Sequence, residues 1–218
     1  MPELITLTIE NYRVRETAES LNHLWFDITK RIIDIVVGFV SLILVLPILA
    51  FCALVIKLSS RGPVFYQQSR VGTGGKVFKM YKLRTMHDNA ESRTGAVWAS
   101  NNDPRVVGTC RWMRRGHLDE LPQLINVLKG EMSLVGPRPE RPEIVAKLEH
   151  IYPNIHRRLA VRPGITGLSQ IRNGYDKNIE CARRKLDADM EYIQSRCWGL
   201  ELRILAATLP KFYDKTAH

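Results

Sequence analysis

No two of the four cysteines, Cys52, Cys110, Cys181 and Cys197, stand in a C-x-x-C pair. Neither a zinc knuckle nor a disulfide framework is therefore expected, and a reducing compartment fits best. The six histidines form no H-E-x-x-H or other paired-ligand spacing, which argues against a transition-metal site. No alternation of strand and helix patterns of the βαβ kind is present, so a nucleotide-binding parallel sheet is not expected either. Residues 57–87 contain no acid at all, and their seven Lys and Arg adjoin a charge-free apolar run. The whole chain carries +10, from 32 Lys plus Arg against 22 Asp plus Glu in 218 residues. A chain this basic meets something anionic: nucleic acid, an acidic membrane surface or phosphorylated substrates. Its otherwise globular composition excludes a wholly disordered or low-complexity chain, and its length suits one domain of ordinary size.

The apolar run is Ile35 to Ile56, 22 residues without a charge, against about 20 needed for a helix to cross the hydrocarbon core. It is too long for the core of a signal peptide, begins too far from Met1 and has no small-residue cleavage site after it. A helix apolar on every side would also need more core than so small a chain can wrap, so membrane insertion is expected. Lys30 and Arg31 precede the run and Lys57 and Arg61 follow it. Both ends thus read as cytoplasmic, with no preference for crossing. Pro47, at mid-run, removes a backbone hydrogen bond and predicts a kink. A helix so bent could enter and leave one leaflet; a kinked spanning helix is the alternative. The chain divides into an N-terminal segment, residues 1–29, with a surface helix around Thr17 to Phe26, a membrane-inserted helix, 30–60, and a body, 61–218.

In that body, VFYQQSRV (64–71) and KVFKMYKL (76–83) are β-branched and aromatic runs joined across Gly72, Thr73, Gly74 and Gly75, which predicts a β-hairpin. The glycines with Lys76 do not form a phosphate loop, because Val77 stands where Ser or Thr is required. Residues 86–106 read as a polar loop. Helices are expected over Leu121 to Leu128, Pro142 to His150, Asn178 to Ser195 and Trp198 to Tyr213, the last amphipathic and suited to a membrane interface. The expected class is α+β, mainly helical with one hairpin.

The densest chemistry is HLDELPQLINVLKGEMSLVGPRPERPE, residues 117–143, preceded by Arg111, Arg114 and Arg115. Asp119 and Glu120 precede a short helix, where an aspartate could equally be an N-cap. Neighbouring arginines weigh against so plain a role. They are natural receivers for phosphate oxygens, and Pro137-Arg138-Pro139 fixes another guanidinium between rigid residues. A second rigid basic turn, Val161-Arg162-Pro163-Gly164-Ile165-Thr166-Gly167, adds Arg162. Carboxylates and arginines around one space suit phosphoryl transfer, in which a carboxylate attacks phosphorus or holds Mg²⁺ while cations neutralise charge.

At these residues the chain resembles the bacterial sugar transferases, the monotopic polyprenyl-phosphate phosphoglycosyl transferases. The motifs run in order: the basic-flanked hydrophobic segment with its central proline, YKLRTM at 81–86, WASNNDPRV at 98–106, RRGHLDELPQLINVLKGEMSLVGPRPERPE at 114–143 and VRPGITGLSQI at 161–171. The resemblance implies a two-step transfer. Asp119 attacks the β-phosphate of a nucleoside diphosphate sugar, a UDP-sugar, releasing UMP, and undecaprenyl phosphate then takes up the sugar-phosphate. Glu120 is implied as the partner that holds Mg²⁺ with Asp119 or polarises the site, with Lys82, Arg114 and Arg138 as phosphate-binding cations. The resemblance also implies the re-entrant helix, the cytoplasmic face of the bacterial inner membrane, and the first membrane step of exopolysaccharide, capsule, O-antigen or glycoprotein glycan assembly. Two positions depart from many relatives. Leu46 replaces a serine before Pro47, and IRNGYD follows Gln170, so Arg172 is the cation expected there; the sugar and the oligomeric state stay open.

Two other classes compete. A basic membrane-associated module reading lipid or nucleic acid through residues 57–87 would need no dyad, and hairpin packing accounts for its aromatics, so no nucleic-acid partner is expected. An ordinary glycosyltransferase would release UDP and would need the α/β sheet whose pattern is missing.

Overall fold

The computed structural model describes residues 20–87, 90, 103–172 and 179–210. The start of the expected surface helix, much of the polar loop, half of WASNNDPRV and the Asn173 to Asp176 end of IRNGYD lie outside the described residues. The described chain is mainly helical with two small sheets.

Helix α1 runs from Ser20 to Ser59, 40 residues, without interruption at Pro47, a length of about 60 Å. The helix runs through residue 30 without a break, and the described end of the expected surface helix is the first turns of α1. The missing N–H of Pro47 leaves the Ile43 carbonyl without its helical donor, a loss the remaining turns of so apolar a helix tolerate. Buried residues recur along one side at Asp34, Gly38, Leu49, Cys52 and Ile56, with Leu42 and Val45 half-buried between them. Steps of three and four residues make this a single stripe, about 33 Å long. The other faces remain exposed and apolar, Leu44 being 70% exposed and Phe51 58%.

The body meets both halves of that stripe. Near the start, Arg31 donates to the carbonyls of Val127 (2.7 Å) and Leu128 (3.1 Å), and Asp34 accepts from the Ser133 hydroxyl (2.7 Å) and the Leu134 N–H. Lys30 pairs with Glu201 at 2.5 Å, and Glu201 also accepts from the buried Tyr192 hydroxyl. Near the end, Leu49, Cys52 and Ile56 pack with Leu83, Val107, Cys110 and Met113. Arg84 there donates to the carbonyls of Arg61 and Ser60.

The hairpin forms as expected. β1 (Phe65–Val71) pairs antiparallel with β2 (Val77–Leu83), Phe65 opposite Leu83, around a turn in which Gly74 and Gly75 take positive φ. Short helix α2 (Arg111–Arg115) leads to the 3-10 turn Leu118–Glu120 and then to α3 (Gln123–Lys129), which Gly130 stops at φ 85°. α4 (Pro142–Glu149), α5 (Leu168–Arg172), α6 (Ile179–Gln194) and α7 (Trp198–Thr208) complete the helices among the described residues.

One pairing was not expected. β3 (Ser133–Val135) and β4 (Gly164–Thr166) form a parallel ladder, with the intervening chain as its crossover. It brings the two rigid basic turns together backbone on backbone. A Cβ on Gly164 would lie 2.1 Å from the Gly136 nitrogen, and one on Gly167 2.1 Å from the Gly136 oxygen. Only glycine permits that approach.

Candidate active site

Asp119 and Glu120 sit between two leucines. Leu118 and Leu121 pack against the cluster that α1 forms with Cys110 and Met113, so the L-D-E-L spacing anchors the turn on α1. His117, immediately before, is the only non-glycine residue with positive φ among the described residues (51°). Such a conformation costs of order 1–3 kcal/mol and persists only where the surroundings impose it. Asp119 is not an N-cap: neither the 3-10 turn nor α3 has a side-chain cap bond. It is 8% exposed and within electrostatic reach of Cys52 on α1.

Glu120 is held by two cations from different elements. Lys82 of β2 donates to Oε1 at 2.7 Å; Arg138, between its two prolines, donates to Oε2 at 3.0 Å and to Oε1 at 2.5 Å. Burial pushes the Glu120 carboxyl up, but Arg138 and Lys82 outweigh it and hold the group well below the usual carboxylate range. Burial also lowers the Lys82 ammonium, against the pull of Glu120. Asp119 goes the other way. Burial, then the Glu120 charge, push its carboxyl up to about 6, with Lys82 and Arg114 opposing. Adjacent carboxylates of one peptide are thus pushed in opposite directions, Glu120 toward the ionised form by its cations and Asp119, the nucleophile candidate, toward the protonated form by burial.

The fold brings together Lys82, Glu120 and Arg138 by direct bonds, and Asp119 and Arg114 by charge. It does not bring in the other two expected cations. Arg162 is exposed and neighbours Arg31 near the start of α1. Arg172, at the end of α5, is paired through both guanidinium nitrogens with Glu191 of α6 at the surface. Among the described residues no bond joins either arginine to the dyad. Arg70 and Arg158 were missed by the sequence reading, although they bond the loop that carries Arg138. Each looks from its local sequence like ordinary surface charge. No group of three or more His, Cys, Asp or Glu among the described residues could hold a metal ion. A divalent cation here would have two protein carboxylates at most and would take its remaining oxygens from phosphates and water, a common arrangement for Mg²⁺.

A buried dyad under three cations, reached from an apolar helix, invites comparison with known proteins. The profile of the bacterial sugar transferases matches residues 25–215. The chain belongs to that family. It is accordingly an enzyme of the phosphoglycosyl transferase kind, as the motif resemblance implied. It is 40% identical over 186 residues to a UDP-glucose:undecaprenyl-phosphate glucose-1-phosphate transferase of Caulobacter vibrioides, covering 84% of this chain and 69% of that protein. It is 38% identical over 187 residues to the exopolysaccharide production protein PSS of Rhizobium leguminosarum bv. phaseoli, covering 84% and 94%. A UDP-N-acetylgalactosamine-undecaprenyl-phosphate N-acetylgalactosaminephosphotransferase of Aeromonas hydrophila is 39% identical over 180 residues, covering 83% of this chain and 42% of its own length. The sugars in these names differ, so kinship alone does not select one.

Proposed function

We propose that the protein transfers a sugar-1-phosphate from a UDP-sugar to undecaprenyl phosphate through an aspartyl-phosphosugar intermediate. The observation that carries this reading is the split dyad: Asp119 poised near neutrality beside a Glu120 clamped by Lys82 and Arg138. An Asp119 oxygen attacks the β-phosphorus of the donor. The bond from that phosphorus to the bridging oxygen breaks, and UMP leaves with the electron pair. A phosphate oxygen of the lipid then attacks the same phosphorus and expels the Asp119 carboxylate, giving undecaprenyl diphosphate sugar. Lys82, Arg114 and Arg138 offset charge on the phosphoryl oxygens, which is most of what a protein contributes to such a transfer. Mg²⁺, held by Asp119 and Glu120 together with the substrate phosphates, would supply further neutralisation of the diphosphate.

Both halves of α1 bond or pack against one polar body. A helix crossing the bilayer with that stripe engaged would draw the body into hydrocarbon, so the contacts favour both flanks on one face, the cytoplasmic one where nucleotide sugars are found. Asp119 at the foot of the apolar helix then lies where a phosphate on a membrane-embedded chain arrives. The product suits the first membrane step of a surface glycan. The test is UMP release from a panel of UDP-sugars by the protein in lipid nanodiscs with Mg²⁺ and undecaprenyl phosphate. Release of UDP instead, or no release with any sugar, would overturn the reading.

A further inference from the structure

The loop that carries Arg138 has no regular secondary structure and few donors of its own, since Pro137 and Pro139 lack an N–H. Every carbonyl along it is nevertheless taken. Pro137 O accepts from the Gly164 N–H (2.9 Å), Arg138 O from Arg158 Nη2 (2.7 Å), Pro139 O from Arg70 Nη1 (2.8 Å) and Glu140 O from the Val71 N–H (2.9 Å). Two of those donors are side chains reaching in from different elements, Arg70 from β1 and Arg158 from the 3-10 stretch Pro153–Ala160. Both are largely enclosed, their side chains 13% and 10% exposed. Arg158 is fixed in turn by Asp189 of α6, at 2.7 Å and 2% exposed.

A guanidinium buried to bond a backbone carbonyl is an expensive way to hold a loop, because the charge needs its own partner. Here the loop's single functional side chain, Arg138, is the one whose forked geometry meets Glu120. An aim of this kind must be held to a fraction of an ångström. We propose that Arg158, supported by Asp189, and Arg70 are positioning residues that clamp the Pro137–Pro139 backbone and so aim Arg138 at the Glu120 side of the reaction centre. Neither bonds the dyad; Arg70 lies within electrostatic reach of Glu120 as well, and both hold the loop that aims Arg138. The clamp also ties α6 and the hairpin to one catalytic side chain. This inference rests on the phosphoryl-transfer reading of the dyad.

The test is a double-mutant cycle on the full chain in nanodiscs. Arg158→Met with Asp189→Leu removes the buried pair together, leaving no uncompensated charge. Against the wild-type background this should lower kcat for UMP release at least tenfold. In an Arg138→Met background it should change kcat less than twofold, because there is no longer a guanidinium to aim. An equal loss in both backgrounds, which a merely structural role predicts, or no loss in either, overturns the proposal. Hydrogen exchange gives a reading independent of catalysis. Amides of residues 136–141 should exchange at least tenfold faster in the double variant while those of β2 keep their protection; unchanged exchange in 136–141 overturns the clamp. A wild type that releases no UMP contradicts the transferase reading alone and leaves exchange to decide the clamp. Arg70→Gln, which removes the adjacent carbonyl's donor, reads the same segment if the double variant does not fold.

Discussion

Replacing Asp119 by Asn should inactivate the enzyme and make it more stable. The carboxyl stands at about 6 instead of an ordinary 3.8, mainly because it is buried and secondarily because Glu120 is charged beside it. The folded state therefore binds this proton more tightly than the unfolded state does. Stability is undiminished below about pH 4, falls as pH rises through the window from 4 to 6, and carries the full penalty above it. At about 1.4 kcal/mol per unit the penalty at pH 7.5 is at most about 3 kcal/mol. An amide in place of the carboxylate would keep the shape and avoid the charge. For a chain of this length the variant should melt higher by up to roughly 10 °C at pH 7.5. The assay is thermal unfolding of both proteins in the same nanodiscs at pH 7.5 and pH 4.5, alongside UMP release. The difference should shrink severalfold at pH 4.5, with UMP release abolished throughout. A variant that melts lower than wild type at pH 7.5, or whose advantage does not change with pH, would refute the placement of a charged, strained carboxylate at this site.

Four further outcomes follow from the same geometry. The acid limb of the pH–rate profile for UMP release should lie at or below pH 6, since bound Mg²⁺ favours the ionised carboxylate, and Arg114→Gln should move it to higher pH because Arg114 is one of the cations opposing the rise. Lys82→Met should cost about 10²-fold or more in kcat, as loss of a preorganised charge at a transferring phosphoryl group does. Arg138→Lys should not rescue, since an ammonium cannot reproduce the two-nitrogen contact with Glu120, and steady-state UMP release reads both variants. Gly164→Ala should destabilise by several kcal/mol, because its Cβ would fall 2.1 Å from the Gly136 nitrogen and force β3 from β4; the yield of folded protein and its melting temperature check this.

What the sequence disclosed and what it hid divide along physical lines. Hairpin β1–β2 was legible because two β-branched runs flank a glycine turn, and α3, α4 and α6 because the glycine stop of α3, the N-terminal proline of α4 and the apolar spacing of α6 are local signals. The dyad and its cations Lys82, Arg114 and Arg138 were legible through motif resemblance, though spacing alone left an N-cap in play. β3 and β4 were not, being three residues each with their pairing set by glycines 28 positions apart, Gly136 and Gly164. The early start of α1 was hidden by Lys30 and Arg31, charges that read as a membrane flank; both are also bonded to the body, as is Asp34. Arg158 follows Arg157, and the two arginines differ only in what they meet after folding: Arg157 is exposed, whereas Arg158 is half-buried against a carbonyl and Asp189.

The central claim is that Asp119 carries the phosphosugar between the two substrates. Its most direct test is a single-turnover reaction of the enzyme with a UDP-sugar labelled at the β-phosphorus, with undecaprenyl phosphate withheld, quenched in acid and resolved by peptide mapping. The account predicts label on the wild-type peptide containing Asp119, stoichiometric release of UMP, and discharge of that label to lipid when undecaprenyl phosphate is added. Label passing to lipid at the full rate with none ever bound to protein, or bound in equal amount to the Asp119→Asn variant, would contradict it.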